Sequence, residues 1–223
     1  MRIFLLILFT ISFIPFRTIY GQGVSGDINT GIEIYVNELK NKNIDTVCIY
    51  SDYCAGCIDT SKKEDRACEF EGLFVSTYIF WLDKGKTFMA KKDNCFNYSA
   101  IEIPTDSIWT FCFENQDSIN QEKLKPVQNI ELKNGEPVMA FSSIDHSRHE
   151  IINIIIGNDT VINKDLNDYN FAEYTGFIQQ KDRNINYNYN INSRIKELQL
   201  LIERIIRRTT KANPLTKTRR QIR

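Results

Sequence analysis

All six cysteines of this 223-residue chain (Cys48, Cys54, Cys57, Cys68, Cys95 and Cys112) fall between Thr46 and Glu114. What such a cluster does depends on the compartment. In a reducing cytosol the pairs would suggest metal ligation; in an oxidising one, an even set reads as disulfides. The N-terminus decides the reading. Arg2 is followed by an almost wholly apolar run, Ile3 to Ile14, then Pro15 and Gly21-Gln22-Gly23. This order of positive, apolar and small residues is that of a secretory signal peptide over residues 1–21. The apolar run is short against the ~20 residues of a membrane span, although retention as an anchor is the alternative. The expectation is an exported protein, periplasmic or secreted, with all six cysteines as disulfide candidates. Many pairings are possible, and spacing does not choose among them.

The chain carries no formal net charge, but the charge is unevenly placed. Residues 194–223 hold ten basic and two acidic residues, whereas residues 22–193 hold 16 basic and 26 acidic. The acidic body makes nucleic acid an unexpected partner. The basic end is either a solvated face or a contact for an anionic surface or partner.

Periodicity supplies the elements. Ile32, Tyr35, Val36 and Leu39 form an amphipathic helical stripe that Asn41-Lys42-Asn43 ends. Thr46 to Tyr50 reads as a strand, and Asp52 to Arg66 as a loop. Phe74 to Leu82 and Thr87 to Lys91, joined through Asp83-Lys84-Gly85-Lys86, read as a hairpin. Ser107 to Glu114 alternates, with Trp109, Phe111 and Phe113 on one face and Ile108, Thr110 and Cys112 on the other, which predicts a strand. Val138 to Ser142, Glu150 to Ile156 and Thr160 to Asn163 are further strands. Asn184 to Asn192 sets Ile185, Tyr187, Tyr189 and Ile191 between asparagines, a period of two that also predicts a strand. Ile191, Ile195, Leu198, Ile202 and Ile205 mark a final helix, capped by Asn192 or Ser193 and ended by Asn213-Pro214. The fold expected is α+β: an antiparallel sheet with an N-terminal helix and a C-terminal amphipathic basic helix. It forms one domain over 22–213, with a disordered basic tail over 214–223.

Three constellations could carry chemistry. Cys54-Ala55-Gly56-Cys57 follows a strand, as in thioredoxin-like redox proteins, where a helix N-terminus stabilises the reactive thiolate. Here no amphipathic helix follows, and an antiparallel hairpin comes next, so structural crosslinking is the better reading of Cys54 and Cys57. His146 and His149, the only two histidines, are flanked by Asp145 and Glu150 and are weak zinc-ligand candidates on a connection between strands. Aromatic residues and lysines interleave over 78–92, a pattern that suits binding of a sugar or a peptide as well as a hairpin with one buried face. There is no nucleophile elbow, phosphate loop or dinucleotide fingerprint, and no cofactor is expected.

Tyr78-Ile79-Phe80-Trp81, Gly85-Lys86-Thr87 and Lys92-Asp93-Asn94-Cys95 resemble stretches of uncharacterised exported bacterial proteins rich in Asn, Ile and Lys. The likeness spans roughly residues 70–120 and implies location without implying a mechanism. The chain therefore reads as a non-enzymatic exported protein, binding or structural. The alternatives are a thiol–disulfide oxidoreductase using Cys54 and Cys57, and a zinc protein using His146 and His149.

Overall fold

The computed structural model describes residues 26–55, 74–134, 136–141, 147–174 and 183–219. The first helix, α1 (Gly26–Asn41), ends as its sequence predicts. Asn43 takes a φ of 60°, and its N–H reaches the Lys40 carbonyl while that of Ile44 reaches Leu39. This left-handed ending suits asparagine, and the buried Leu39 and Ile44 flank it. The chain then enters β1 (Thr46–Ala55), β2 (Val75–Asp83), β3 (Lys86–Asp93), β4 (Phe96–Tyr98) and β5 (Ile101–Ile103). Lys84 and Gly85 both have positive φ, and Asp83 pairs with Lys86, so β2 and β3 are joined by a two-residue turn of the mirror-image kind that matches strand twist.

Next come α2 (Ser107–Gln121), β6 (Gln128–Lys133), β7 (Glu136–Phe141), β8 (Ser147–Ile156) and β9 (Asp159–Asn167). A 3-10 turn at Asp168–Phe171, the short α3 (Tyr187–Ile191), α4 (Arg194–Ala212) and β10 (Lys217–Arg219) complete the described elements. Among the described residues one antiparallel sheet holds eight strands in the order β10-β4-β3-β2-β1-β8-β9, with β5 also on β3. β6 and β7 make a separate two-stranded ribbon.

The sheet is covered on both faces. Ile32, Val36 and Leu39 of α1 pack on Val47, Ile49, Ile79, Trp81 and Ala90. The opposite face, with Cys48, Tyr50, Phe80, Met89, Ile152 and Ile154, packs against Ile108, Trp109 and Cys112 of α2 and Ile195, Leu198 and Ile202 of α4. Successive strand residues point to opposite faces, so β1 supplies both cores from alternate positions. The α+β class, antiparallel sheet and N-terminal helix follow the sequence reading, and α4 is capped by Ser193, whose Oγ accepts from the Lys196 N–H at 3.1 Å.

Four expectations are corrected. Ser107 to Glu114 is helical. Ile108, Trp109, Cys112 and Ile119 are buried along one helical stripe, and Phe113, placed beside Trp109 by the strand reading, is 50% exposed. The helix is fixed by its docking, in which Trp109 Nε1 donates to Thr87 Oγ1 at 3.0 Å inside the core; strand preference in aromatic and β-branched residues yields to such context. The loop expected from Asp52 begins later, because β1 continues to Ala55 opposite Ser147. Lys217 to Arg219, expected to be disordered, pair with Tyr98, Asn97 and Phe96.

The fourth correction concerns Asn184 to Asn192, expected to be a strand: Tyr187–Ile191 is the helix α3, and burial does not alternate along the segment. Ile185 and Tyr189 are exposed, while Asn184 and Asn190 are buried. Asn190 Nδ2 donates to the carbonyls of Lys125 and Asn170 at 2.9 and 2.8 Å, and its Oδ1 accepts from the Lys125 N–H at 2.9 Å. Asparagine carries both a donor and an acceptor, so it can complete main-chain groups that a strand would have paired. We expect Asn190→Ala to lower stability by about 3 kcal/mol by orphaning these buried groups. Ile185→Asn should change stability by less than about 0.5 kcal/mol. Urea unfolding of the two variants checks the order.

Candidate functional site

Among the described residues two places gather polar and aromatic groups suited to binding or proton chemistry, one on each face of the sheet. On the α1 face, the helix leaves the β2–β3–β5 end partly uncovered. A groove of about 380 Å³ opens there, walled by Tyr35, Trp81 and Phe88. Trp81 and Phe88 are cross-strand partners with stacked rings 5.6 Å apart, and Tyr35 meets Trp81 edge-on at 5.9 Å. Cross-strand pairing fixes the first contact and α1 docking the second. Glu38, Asp83 and Glu102 supply three carboxylates to the lining, against the single ammonium of Lys42. Lys86 Nζ donates to Glu102 at 3.0 Å on the surface, and Lys92 Nζ lies 4.6 Å from the centre of the Tyr35 ring. Burial raises the pKa of the Tyr35 phenol, and the Glu38 carboxylate raises it further.

On the opposite face, Arg148 is a hub for three carboxylates. Its Nε and Nη2 donate to the two oxygens of Asp52 at 2.8 and 2.9 Å. Nη2 also lies 3.0 Å from Glu150 Oε1 and 3.3 Å from Glu203 Oε1. The register produces this meeting: Asp52 of β1 faces Glu150 of β8, Arg148 is two residues earlier on the same face, and α4 lowers Glu203 from above. Glu150 is 1% exposed and lies beside the buried Tyr50 hydroxyl. Burial pushes the Glu150 carboxyl up to about 7; Arg148 opposes that shift, while Glu203 and Asp52 add to it. Burial and the Glu150 charge likewise raise the Tyr50 phenol. Lys196, 4.0 Å from the centre of the Phe171 ring, has its ammonium pulled down by burial, with Glu150 and Glu203 opposing.

The cysteines separate into two kinds. Cys54 and Cys95 are each in the disulfide-bonded state. Both sit at the Arg148 end of the sheet, because Tyr53 pairs with Val75, whose N–H donates to Asn94 Oδ1 at 2.7 Å. Asp93 holds the turn carrying Cys95, accepting from the N–H groups of Cys95 and Phe96 and from the Tyr98 hydroxyl. Cys57 and Cys68 lie outside the described residues. Cys48 and Cys112, expected as disulfide candidates, are instead free and buried. They face each other across the β1–α2 packing as small apolar groups. Burial raises the Cys48 thiol well above its usual range, with Cys112 adding to the effect, and pushes Cys112 up to about 12.

Cys54 stands inside an extended strand, opposite Arg148, and not at a helix N-terminus. His146 lies outside the described residues. His149 is on the face of β8 opposite to Arg148, stacked on Tyr53 at 5.2 Å. Its Nδ1 is 3.4 Å from Asp165, and its Nε2 is 3.2 Å from Ser147 Oγ. Among the described residues no group of three or more His, Cys, Asp or Glu is placed to hold a metal ion.

The arginine hub went unread in the sequence, although the segment Asp145 to Glu150 was singled out for its histidines. The missed signal was the period of two: extended back from Ile154, it sets Arg148 and Glu150 on the Ile152 face. The aromatic groove was half legible, as the interleaved rings of 78–92, but the contribution of Tyr35 and Glu38 needs α1 in place.

Two expectations follow. In folded protein at pH 8, Cys48 and Cys112 should resist iodoacetamide because the thiolate is the reacting form, and both should label once the chain is unfolded without reductant; mass spectrometry reads the difference. Glu150 binds its proton more tightly folded than unfolded, so its contribution to stability is complete below about pH 4.5 and is lost as pH rises through about 7. The loss should be on the order of 3 kcal/mol. Glu150→Gln should remove that part of the pH dependence between pH 5 and pH 8, measured as the difference in urea midpoints. Comparison of the chain with protein-family models, with curated proteins and with solved structures finds no match.

Proposed function

We propose that the chain is an exported, non-enzymatic binding protein braced by disulfides, and that its recognition surface is the groove of Tyr35, Trp81 and Phe88. The groove carries this reading: three rings in fixed mutual geometry line an opening together with Glu38, Asp83 and the Lys86-paired Glu102. Aromatic faces attract cations electrostatically, and carboxylates at the rim add to that attraction. A ligand that fits has a flat or apolar body bearing a cationic group, such as an aromatic amine or a basic side chain of a peptide. Export is supported by Arg2 with the apolar run Ile3 to Ile14, and by the disulfide-bonded state of Cys54 and Cys95.

The oxidoreductase reading draws less support, since Cys54 in a strand lacks the helix-terminal field that lowers a thiol pKa. The zinc reading rests on His149 alone within the described residues, and that imidazole is engaged with Tyr53, Ser147 and Asp165.

Tyramine and 4-hydroxyphenylacetate have similar shape and opposite charge. Titration followed by amide NMR should move the resonances of residues 35–42 and 81–88 with tyramine and much less with the acid. Glu38→Gln should weaken the tyramine response by about three- to tenfold. Equal responses to the two probes, or shifts elsewhere on the molecule, would refute the groove assignment.

A further inference from the structure

We propose that the outward face of α4 is an adsorption surface for an anionic lipid bilayer. Between Arg204 and Lys211 the helix carries four cations, Arg204, Arg207, Arg208 and Lys211, and no carboxylate. At about 100° per residue these side chains fall within roughly a 100° arc, and at about 1.5 Å per residue they span about 10 Å. All four are exposed, and among the described residues no carboxylate forms an ion pair with any of them. The two acidic residues of α4 are engaged elsewhere, Glu197 with Arg194 and Glu203 with Arg148. Ile202, Ile205 and Thr209 anchor the opposite side of the helix in the protein, so the fold sets the direction in which the cations point.

Two further features identify the partner. Residues 22–193 carry ten more acidic than basic residues, so an anionic surface is repelled except along α4 and the basic residues that follow it. Leu200, 44% exposed and one turn before Arg204, shares the same arc. An apolar side chain beside guanidinium groups suits the interfacial zone of a bilayer, where Arg pairs with lipid phosphates and the leucine meets acyl chains. The stripe also lies on a convex helix, a shape that meets a plane more readily than it encloses an extended peptide. The proposal does not depend on the groove.

The test is partition of the full chain onto vesicles of phosphatidylcholine alone and of phosphatidylcholine mixed with phosphatidylglycerol. The neutral vesicles take account of any attachment by the apolar run of residues 3–14. Each cation near a charged surface contributes about fivefold, so partition onto the mixed vesicles should exceed the neutral value by a few hundredfold at low salt and fall steeply as salt is added. The double variant R204A/R208A changes only exposed side chains. It should lose about 25-fold on the mixed vesicles and nothing on the neutral ones. Equal partition onto both vesicles, or an unchanged double variant, overturns the proposal. So does binding of poly-glutamate or duplex DNA through Arg204 and Arg208 without binding to mixed vesicles.

Discussion

The structure depends on β1 being paired on both edges and buried on both faces. It is hydrogen-bonded to β2 along one edge and β8 along the other, and its side chains alternate between the α1 core and the α2/α4 core. Val47 and Ile49 look one way, Cys48 and Tyr50 the other, and all four are buried. No residue of the strand's first half can change polarity without exposing one core to a misfit. Towards the strand's end the constraint relaxes, and Ser51, Asp52, Tyr53 and Cys54 are only half buried.

That gradient explains where the polar groups collect. The β1–β8 register that aligns Tyr50 with Ile152 in the core also aligns Asp52 with Glu150 and Cys54 with Arg148 at the margin. Packing of α4 then closes Glu203 over them. In its ionised form a carboxylate as deep as Glu150 needs a cation beside it, and Arg148, held bidentately by Asp52, is the cation the register provides. The hub is a consequence of sheet geometry at the limit of the core. On the other face the aromatic groove forms where Tyr35 and Glu38 of α1 meet Trp81, Asp83 and Phe88 of the β2–β3 hairpin.

Local pattern was a good guide wherever one face of an element met one core. The stripe of α1, the β2–β3 hairpin and the seam of α4 all behave this way, and their ends were marked by Asn43, Lys84-Gly85 and Ser193. Pattern misled where alternative periods fit the same residues. Ile108, Trp109 and Cys112 satisfy a strand's alternation in part and a helix's stripe in full, and only the hydrogen bond from Trp109 to Thr87 and the packing beneath α4 select the helix. In Asn184 to Asn192 the rule that apolar residues lie inside failed, because the buried surroundings there are main-chain amides and carbonyls that asparagine can satisfy and isoleucine cannot.

By itself the sequence determined the α+β class, the hairpin, the amphipathic terminal helices and the separation of an acidic body from a basic end, because each is a matter of residue order within a short window. Tertiary structure alone decided that Cys48 and Cys112 are buried thiols while Cys54 and Cys95 are bonded, that Arg148 gathers Asp52, Glu150 and Glu203, and that Tyr35 joins Trp81 and Phe88. These are meetings between residues far apart in the chain. The register of β1 with its two neighbours, and the docking of helices on either side, bring them within reach, and no short window of sequence contains that information.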